Sequence, residues 1–284
     1  MTNILIILAC VPLYVLNSLC DKRVSADGNQ LGARYNCAKF LLCSLCTAPL
    51  LLLDSAPKLT LGCLVCGAVC GICYTISKTV ILKGYERTSV AYMTVCHSAG
   101  MILPCLLGHF FWDEPLSALS TVGILLAVVS VSLLKTEKEE KKRHDGLGLL
   151  FGVLVFLTSG GVMVAQKLMG RYFIGQSVWA YNLYSFVIAF LLISLFAKPS
   201  APRKTARKTV FLCALGSAIS LCVISIVMTT LASSVPSAIL FPLFNGSGII
   251  LVCLGSALWF KERLSVRKCI ALGIGIIGLC LVNF

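Results

Sequence analysis

The sequence predicts an all-α membrane protein: ten transmembrane helices arranged as two inverted five-helix repeats. Three observations carry this. Of the 284 residues, 58% are apolar and only 12% charged, whereas about a quarter of a soluble domain is charged. The apolar residues fall into ten runs, each long enough to cross a bilayer or nearly so, a crossing helix needing about 20 residues. The chain also aligns with itself, without gaps, at a shift of 148 residues. Too little chain remains outside the runs for a soluble catalytic domain. The net charge of +13 points to cytoplasmic loops facing anionic lipid, not to a nucleic-acid partner.

The runs, in order, cover 3–20, 36–53, 61–82, 89–111, 118–134, 147–166, 178–197, 210–231, 236–259 and 269–284. The first has no basic residue before it, and Lys22 and Arg23 follow it, so it reads as a retained span and not as a cleaved signal. Pro57 separates spans 2 and 3, and Pro115 separates spans 4 and 5. The charged stretch 135–146 joins two halves, 1–134 and 147–284. Span 7 opens on Trp179, Tyr181 and Tyr184, an interfacial aromatic belt by the first reading. It ends before Pro199 and Pro202. Most of the 16 cysteines lie inside apolar runs, where a thiol acts as a small hydrophobe. Cys63, Cys66, Cys70 and Cys73 share one helix face, and the gap between the two CxxC pairs is too short for a zinc ribbon. Helix packing is the better account of that row.

All eleven acids fall in connections or at span ends, so no carboxylate is expected at the bilayer centre, where it would be costly and functional. Lysines and arginines divide sharply by connection. Those joining spans 1–2, 3–4, 5–6, 7–8 and 9–10, with their flanks, hold 21 of the 24. The other side holds Lys58, Lys167 and Arg171. The positive-inside rule then places both termini outside the cytoplasm, in a multi-pass protein of the cell membrane.

At the 148-residue shift, 83–117 lies over 231–265 with nine of 35 positions identical, among them Ser89/Ser237, Gly100/Gly248, Cys105/Cys253, Glu114/Glu262 and Ser117/Ser265. The shared E-x-L-S at a span end is polar, so apolar composition does not explain it. Five is odd, so the second half enters the membrane inverted. Inverted repeats mark secondary transporters, because near-equivalent halves can exchange inward- and outward-open packings. The corners FFWDEPLS and LWFKERLS, each followed by a Gly-rich span, resemble the EamA-like branch of the drug/metabolite transporter superfamily. That resemblance covers the whole chain. It implies a ten-helix basket, a central cavity lined by spans 1, 3, 4, 6, 8 and 9, and alternating access for small metabolites. Two features depart from the family. Its members are usually drawn with cytoplasmic termini, and many carry apolar residues and a proline where this chain has His97 and Asn245.

The repeat pairs His97 with Asn245, each about midway along its span. Polar groups in hydrocarbon cost several kcal/mol unless satisfied, so the pair is either a shared binding site or interhelical glue. Neighbouring Gly100, Gly246 and Gly248 allow close approach or local unwinding. Asn17 and Gln166 lie near span ends, where a headgroup contact competes with a substrate contact. Tyr74 and Ser77 share a face of span 3, and Ser225 repeats the Ser77 position in span 8. Serine is also common in membrane helices through bonding to its own i−4 carbonyl. Tyr92 and Phe241 face the same region and offer stacking or plain packing. Lys78 reads as a snorkelling residue before an anion ligand, and Lys167 mirrors it at the end of span 6. Glu114 and Glu262 read as corner residues, with the E-x-L-S serine capping the next helix. The small-residue rows Gly123/Ala127 and Ala271/Gly275/Gly278 suit association within the bundle or between two copies in a homodimer.

These readings favour a secondary transporter of a small polar or zwitterionic metabolite, with His97, Asn245, Tyr74, Ser77, Ser225, Asn17, Gln166 and Tyr92 as candidate substrate contacts. No cofactor or metal is expected; His97 is the one group suited to couple protons near neutrality. ATP drive is excluded by the lack of a G-x-x-x-x-G-K-[ST] loop. A flippase for a lipid-linked carrier is the alternative, and it calls for several lysines or arginines around the cavity. An enzyme is not expected, because His97, His109 and His144 lie at different depths with no acid beside them.

Overall fold

The computed structural model describes residues 2–25, 29–56, 60–87, 90–114, 116–133, 146–196, 204–259 and 266–282. Eleven α-helices account for nearly all of them, and no strand occurs among the described residues. They are α1 (Thr2–Ser25), α2 (Asn29–Leu50), α3 (Leu61–Arg87), α4 (Val90–Ala99), α5 (Ile102–Trp112), α6 (Ala118–Leu133), α7 (Gly146–Tyr172), α8 (Val178–Phe196), α9 (Lys204–Leu231), α10 (Ser237–Trp259) and α11 (Val266–Val282). One 3-10 turn, Leu51–Leu53, extends α2. Among the described residues, six helices are long and apolar enough to cross a membrane: α1, α2 with its 3-10 turn, α3, α7, α8 and α9.

Each apolar run of the sequence contains a helix, with two differences. Several helices outrun their apolar segments: α1 continues past Cys20 to Ser25, and α2 begins at Asn29. The first run stops at Asp21, whereas backbone hydrogen bonding continues into the interface. The fourth run is not one helix. It breaks at Gly100–Met101 into α4 and α5, for a reason taken up below.

Two packed regions hold the bundle together. One joins Phe40 and Cys43 of α2, the Cys63, Cys66, Cys70 and Tyr74 face of α3, Val162 and Ala165 of α7, Tyr181 and Phe186 of α8, and Cys222 of α9. The cysteine row is therefore a packing face: Cys63 donates to the Ser177 carbonyl at 3.4 Å, and Cys73 lies against Gly161. Tyr181 is fully buried here, so it belongs to the core and not to an aromatic belt. The second region joins α1, α7, α9 and α10 around Ile7, Met163, Met228, Phe241 and Phe244. Phe241 is packing. Leucines, isoleucines and valines such as Leu5, Leu64, Val69, Leu125, Leu150, Leu191 and Ile276 stay exposed, as the outer faces of helices solvated by lipid must.

Off to one side, α6 packs along α11. Ser130 donates to the Ala271 carbonyl at 2.6 Å, and a Cβ on Gly275 would come within 2.6 Å of the Ser130 hydroxyl. The small residues thus bring these two helices together within one chain. Ser130→Ala should cost about 1 kcal/mol of unfolding free energy, the worth of one buried hydrogen bond. Thermal melts of the purified variant would read this, and an unchanged melt would remove Ser130 from the α6–α11 account.

Candidate functional site

The break in the fourth run follows from Pro104. A proline cannot donate to the carbonyl four residues back, and its ring crowds that carbonyl; here that is Gly100. The chain tightens instead: Gly100 N–H bonds the His97 carbonyl at 3.3 Å, Met101 N–H the Ser98 carbonyl at 3.2 Å, and Leu103 N–H the Gly100 carbonyl at 3.1 Å. The His97 carbonyl also accepts the Ser159 hydroxyl of α7 at 2.9 Å. Close approach requires glycine on both sides. A Cβ on Gly100 would sit 2.1 Å from Ser159 Oγ and 2.7 Å from the Gly160 nitrogen, and one on Gly160 would sit 2.6 Å from the Gly100 carbonyl oxygen. His97 is therefore carried at a tightened step pinned to α7 and is half-buried.

Beside it stands a charged cluster that the sequence reading placed in a loop flank. Lys39 is 0% exposed. It donates to Asn17 Oδ1 at 2.6 Å and to Asp21 Oδ1 at 3.2 Å, and its ammonium lies 5.6 Å from the centre of the Tyr35 ring. The Tyr35 hydroxyl donates to Asp21 Oδ1 at 2.5 Å and meets Ser217 Oγ of α9 at 2.5 Å. Lys78 reaches Asp21 Oδ2 at 3.5 Å. Lys78 and Asp21 are also the charged groups that act on the His97 ring. Asn17 is thus no headgroup contact. It is a ligand to a buried lysine, and the flank residues Lys39, fully buried, and Asp21, partly exposed, form an ion pair between α1 and α2.

A second polar group lies deeper among α3, α7, α8 and α9. Gln166 Nε2 donates to Ser225 Oγ at 3.3 Å, Ser225 donates to Asn182 Oδ1 at 2.5 Å, and Asn182 Nδ2 donates to the Val178 carbonyl at 2.8 Å. The Tyr74 ring leans on Phe40 and Phe186 at 5.6 and 6.3 Å between centroids. Gln166 is buried, not at the lipid surface. Among the described residues, neither the buried Ser77 hydroxyl nor the Tyr181 hydroxyl has a hydrogen-bond partner. Four predicted positions (Tyr74, Gln166, Ser225 and, one turn along α3, Ser77) therefore gather on facing helices. Asn182 is a member that the sequence reading missed, though an amide inside the apolar run of span 7 was signal enough.

Asn245 stands apart from both groups. Its amide donates to the Phe241 carbonyl of its own helix at 2.9 Å, the self-satisfied arrangement. On the same helix, Gly248 lies against the Tyr14 ring, which packs edge-on to Phe244 at 5.4 Å. The side chain of Tyr92 lies outside the described residues, as do Glu262 and the linker 135–145.

One end of the bundle is tied shut by Glu114. Asp113 takes a left-handed conformation (φ 51°), tolerated best by Gly, Asn and Asp, and turns the chain back so that Glu114 points between α7 and α10. Its Oε1 meets Lys167 Nζ at 2.6 Å, with both side chains less than a tenth exposed. Its Oε2 accepts the Ser237 N–H at 2.7 Å, capping α10. Lys167 also donates to the Val235 carbonyl at 2.8 Å, and Arg171 to the Trp112 carbonyl at 2.9 Å. Two expectations change. Lys167 does not snorkel, and Glu114 serves α10 and not the helix that follows it. The capping of α6 falls to Ser117, which accepts the Ser120 N–H at 2.9 Å as expected. At the same end Asn3 contacts Ser234 at 3.5 Å, Thr60 meets Gln176 at 2.5 Å, and Ser177 donates to Asp54.

An all-helical bundle with several helices long and apolar enough to cross a membrane and with buried polar groups between them fits the class of multi-pass membrane proteins. The sequence profile of the EamA-like transporter family matches residues 1–136 and again 146–284. The chain belongs to that family. A solved crystal structure superposes on it with a TM-score of 0.79 over 100% of this chain and 99% of the other, at 13% identity; at that identity the likeness is one of fold. No curated protein matches the sequence.

Proposed function

We propose that the protein is a secondary transporter that moves a small polar or zwitterionic metabolite across the cell membrane by alternating access. In this reading the chain crosses ten times, α4 and α5 together making one crossing. Residues 1–134 and 147–284 are five-span halves of opposite orientation joined by 135–146. The twofold family match supports the halves. So does the packing, because exchanging the halves maps the contacts onto themselves. The α1–α9 contact corresponds to α7–α3, α2–α9 to α8–α3, and α1–α10 to the contacts of α7 with α4 and α5, while α2–α8 and α6–α11 each map onto themselves. The gathering of Asn3, Asp54, Thr60, Glu114, Gln176 and Ser234 at one end agrees with this parity. The lysine and arginine bias makes that end extracytoplasmic, with both termini there.

The observation that carries transport is the broken helix, which sets the half-buried His97 beside a tightened turn at Gly100–Met101 that packs on α7. Discontinuous helices of this kind build substrate sites near the bilayer midplane. Substrate enters between Asn17, Tyr74, Ser77, Tyr92, His97, Gln166, Ser225 and Asn245, with the Glu114–Lys167 clasp closing the extracytoplasmic end. The chain is read as neither enzyme nor ATPase. A flippase for a lipid-linked carrier is the second reading; it calls for several cations around the cavity, and buried Lys39 with the partly exposed Lys78 favours it.

The test is ligand-induced thermal stabilisation of the detergent-purified protein against amino acids, amines, nucleosides, sugars and quaternary ammonium compounds. A ligand at a hundredfold excess over Kd adds about 2.7 kcal/mol. The expected result is a stabilising metabolite whose effect disappears in His97→Ala. A hit that survives both His97→Ala and Asn245→Ala would remove the pair from the site. If His97 couples protons, His97→Gln keeps transport and loses its pH dependence; an unchanged pH profile rules coupling out.

A further inference from the structure

The cluster around Asp21 holds more positive charge than its own carboxylate answers. Among the described residues it contains two ammoniums, Lys39 and Lys78, and one acid, Asp21. The two lysines are held differently. Lys39 is 0% exposed and fixed by Asn17 and Asp21, whereas Lys78 is 19% exposed and makes a single long contact of 3.5 Å to Asp21. If Lys78 swings away, Asp21 keeps its two shorter partners, Tyr35 at 2.5 Å and Lys39 at 3.2 Å. One lysine thus neutralises the acid while the other is held loosely. The fold itself does not demand this charge. At the shift that lays Ser77 over Ser225, Lys78 lies over Ile226, so the second half builds the same helix without it.

We propose that Lys78 is the anion-binding arm of the substrate site. It pairs with an oxyanion group of the transported molecule while Lys39, Asn17 and Tyr35 hold Asp21 in place. The surplus of one positive charge matches a carboxylate better than a doubly charged phosphate. The substrate class is therefore a small organic acid or a zwitterion, bound through its carboxylate. This rests on the transporter reading and narrows it.

The experiment uses the full-length purified protein and thermal stabilisation by matched probe sets: amino and hydroxy acids, the corresponding primary amides, phosphate monoesters, and phospholipid–detergent mixed micelles. Wild type is compared with Lys78→Gln and Lys78→Arg. The expected result is stabilisation by one or more acids and not by their amides. Affinity should fall about tenfold or more in Lys78→Gln, the scale of one charge-assisted hydrogen bond, and recover in Lys78→Arg. If Lys78→Gln does not fold, selectivity for acid over amide in wild type decides alone. Stabilisation by a neutral or cationic solute, or by acid and amide equally, overturns the anion site and leaves the transporter reading standing. Preference for phosphate monoesters or lipid overturns the carboxylate assignment and favours the flippase. No stabilisation by any solute overturns both proposals.

Discussion

Replacing Glu114 with alanine should lower the unfolding free energy by about 3–5 kcal/mol, the usual cost of leaving one partner of a buried ion pair uncompensated. Lys167 would stay buried with its charge answered by the Val235 carbonyl alone among the described residues, and the α10 N-terminus would lose its cap. Arg171 offers little relief, being 3.9 Å from the carboxylate and 41% exposed, where ion pairs are worth little. Glu114→Gln separates the two effects, because an amide oxygen can still accept the Ser237 N–H while the charge is gone. Lys167→Met in the Glu114→Gln background should then recover much of the loss, since two matched neutral groups avoid the desolvation cost of two ions. Denaturation of wild type, Glu114→Ala, Glu114→Gln, Lys167→Met and the double variant in one detergent would measure this. Additive losses in the double variant would mean that the two side chains are not coupled.

Gly100→Ala should disable ligand binding at a moderate cost in stability. The new methyl group would fall 2.1 Å from Ser159 Oγ, which can rotate, but also 2.7 Å from the Gly160 nitrogen and 3.0 Å from the Phe156 carbonyl oxygen. These are helix backbone and cannot yield, so the α4–α5 step must lift off α7 and take His97 with it. Overpacking of this kind costs about 1–3 kcal/mol. Adding Ser159→Gly should not restore binding, because the backbone clash remains. A Gly100→Ala protein with wild-type affinity would show that the tightened step is packing alone.

The sequence states the helices through its apolar runs, and it states the halves through the repeat. It does not state where the charges go. Asp21 follows the first apolar run and Lys39 stands near the start of the second, so both read as flanks of one connection, and nothing in the runs tells that they meet. In the folded chain α1 and α2 continue past those residues, and Tyr35, Asn17 and Lys78 come from three helices to meet them. Glu114 and Lys167 belong to different halves, 53 positions apart in the sequence, and neither a repeat nor a periodicity announces such a contact. The break in span 4 was legible in principle, since Pro104 stands four residues after Gly100. Of the candidate contacts, Tyr74, Ser225 and Gln166 converge as polar residues inside apolar runs tend to, because each must find a partner. Asn245 found its partner on its own helix, an outcome that position in the repeat does not distinguish from a ligand contact.

Counterflow in proteoliposomes tests the central claim most directly. The protein is reconstituted without nucleotide and preloaded with a metabolite that stabilises it, and the labelled form of the same metabolite is supplied outside. A secondary transporter should accumulate label transiently and saturably, with the overshoot lost in Gly100→Ala. Binding without any overshoot, or accumulation only when ATP is enclosed, would contradict it.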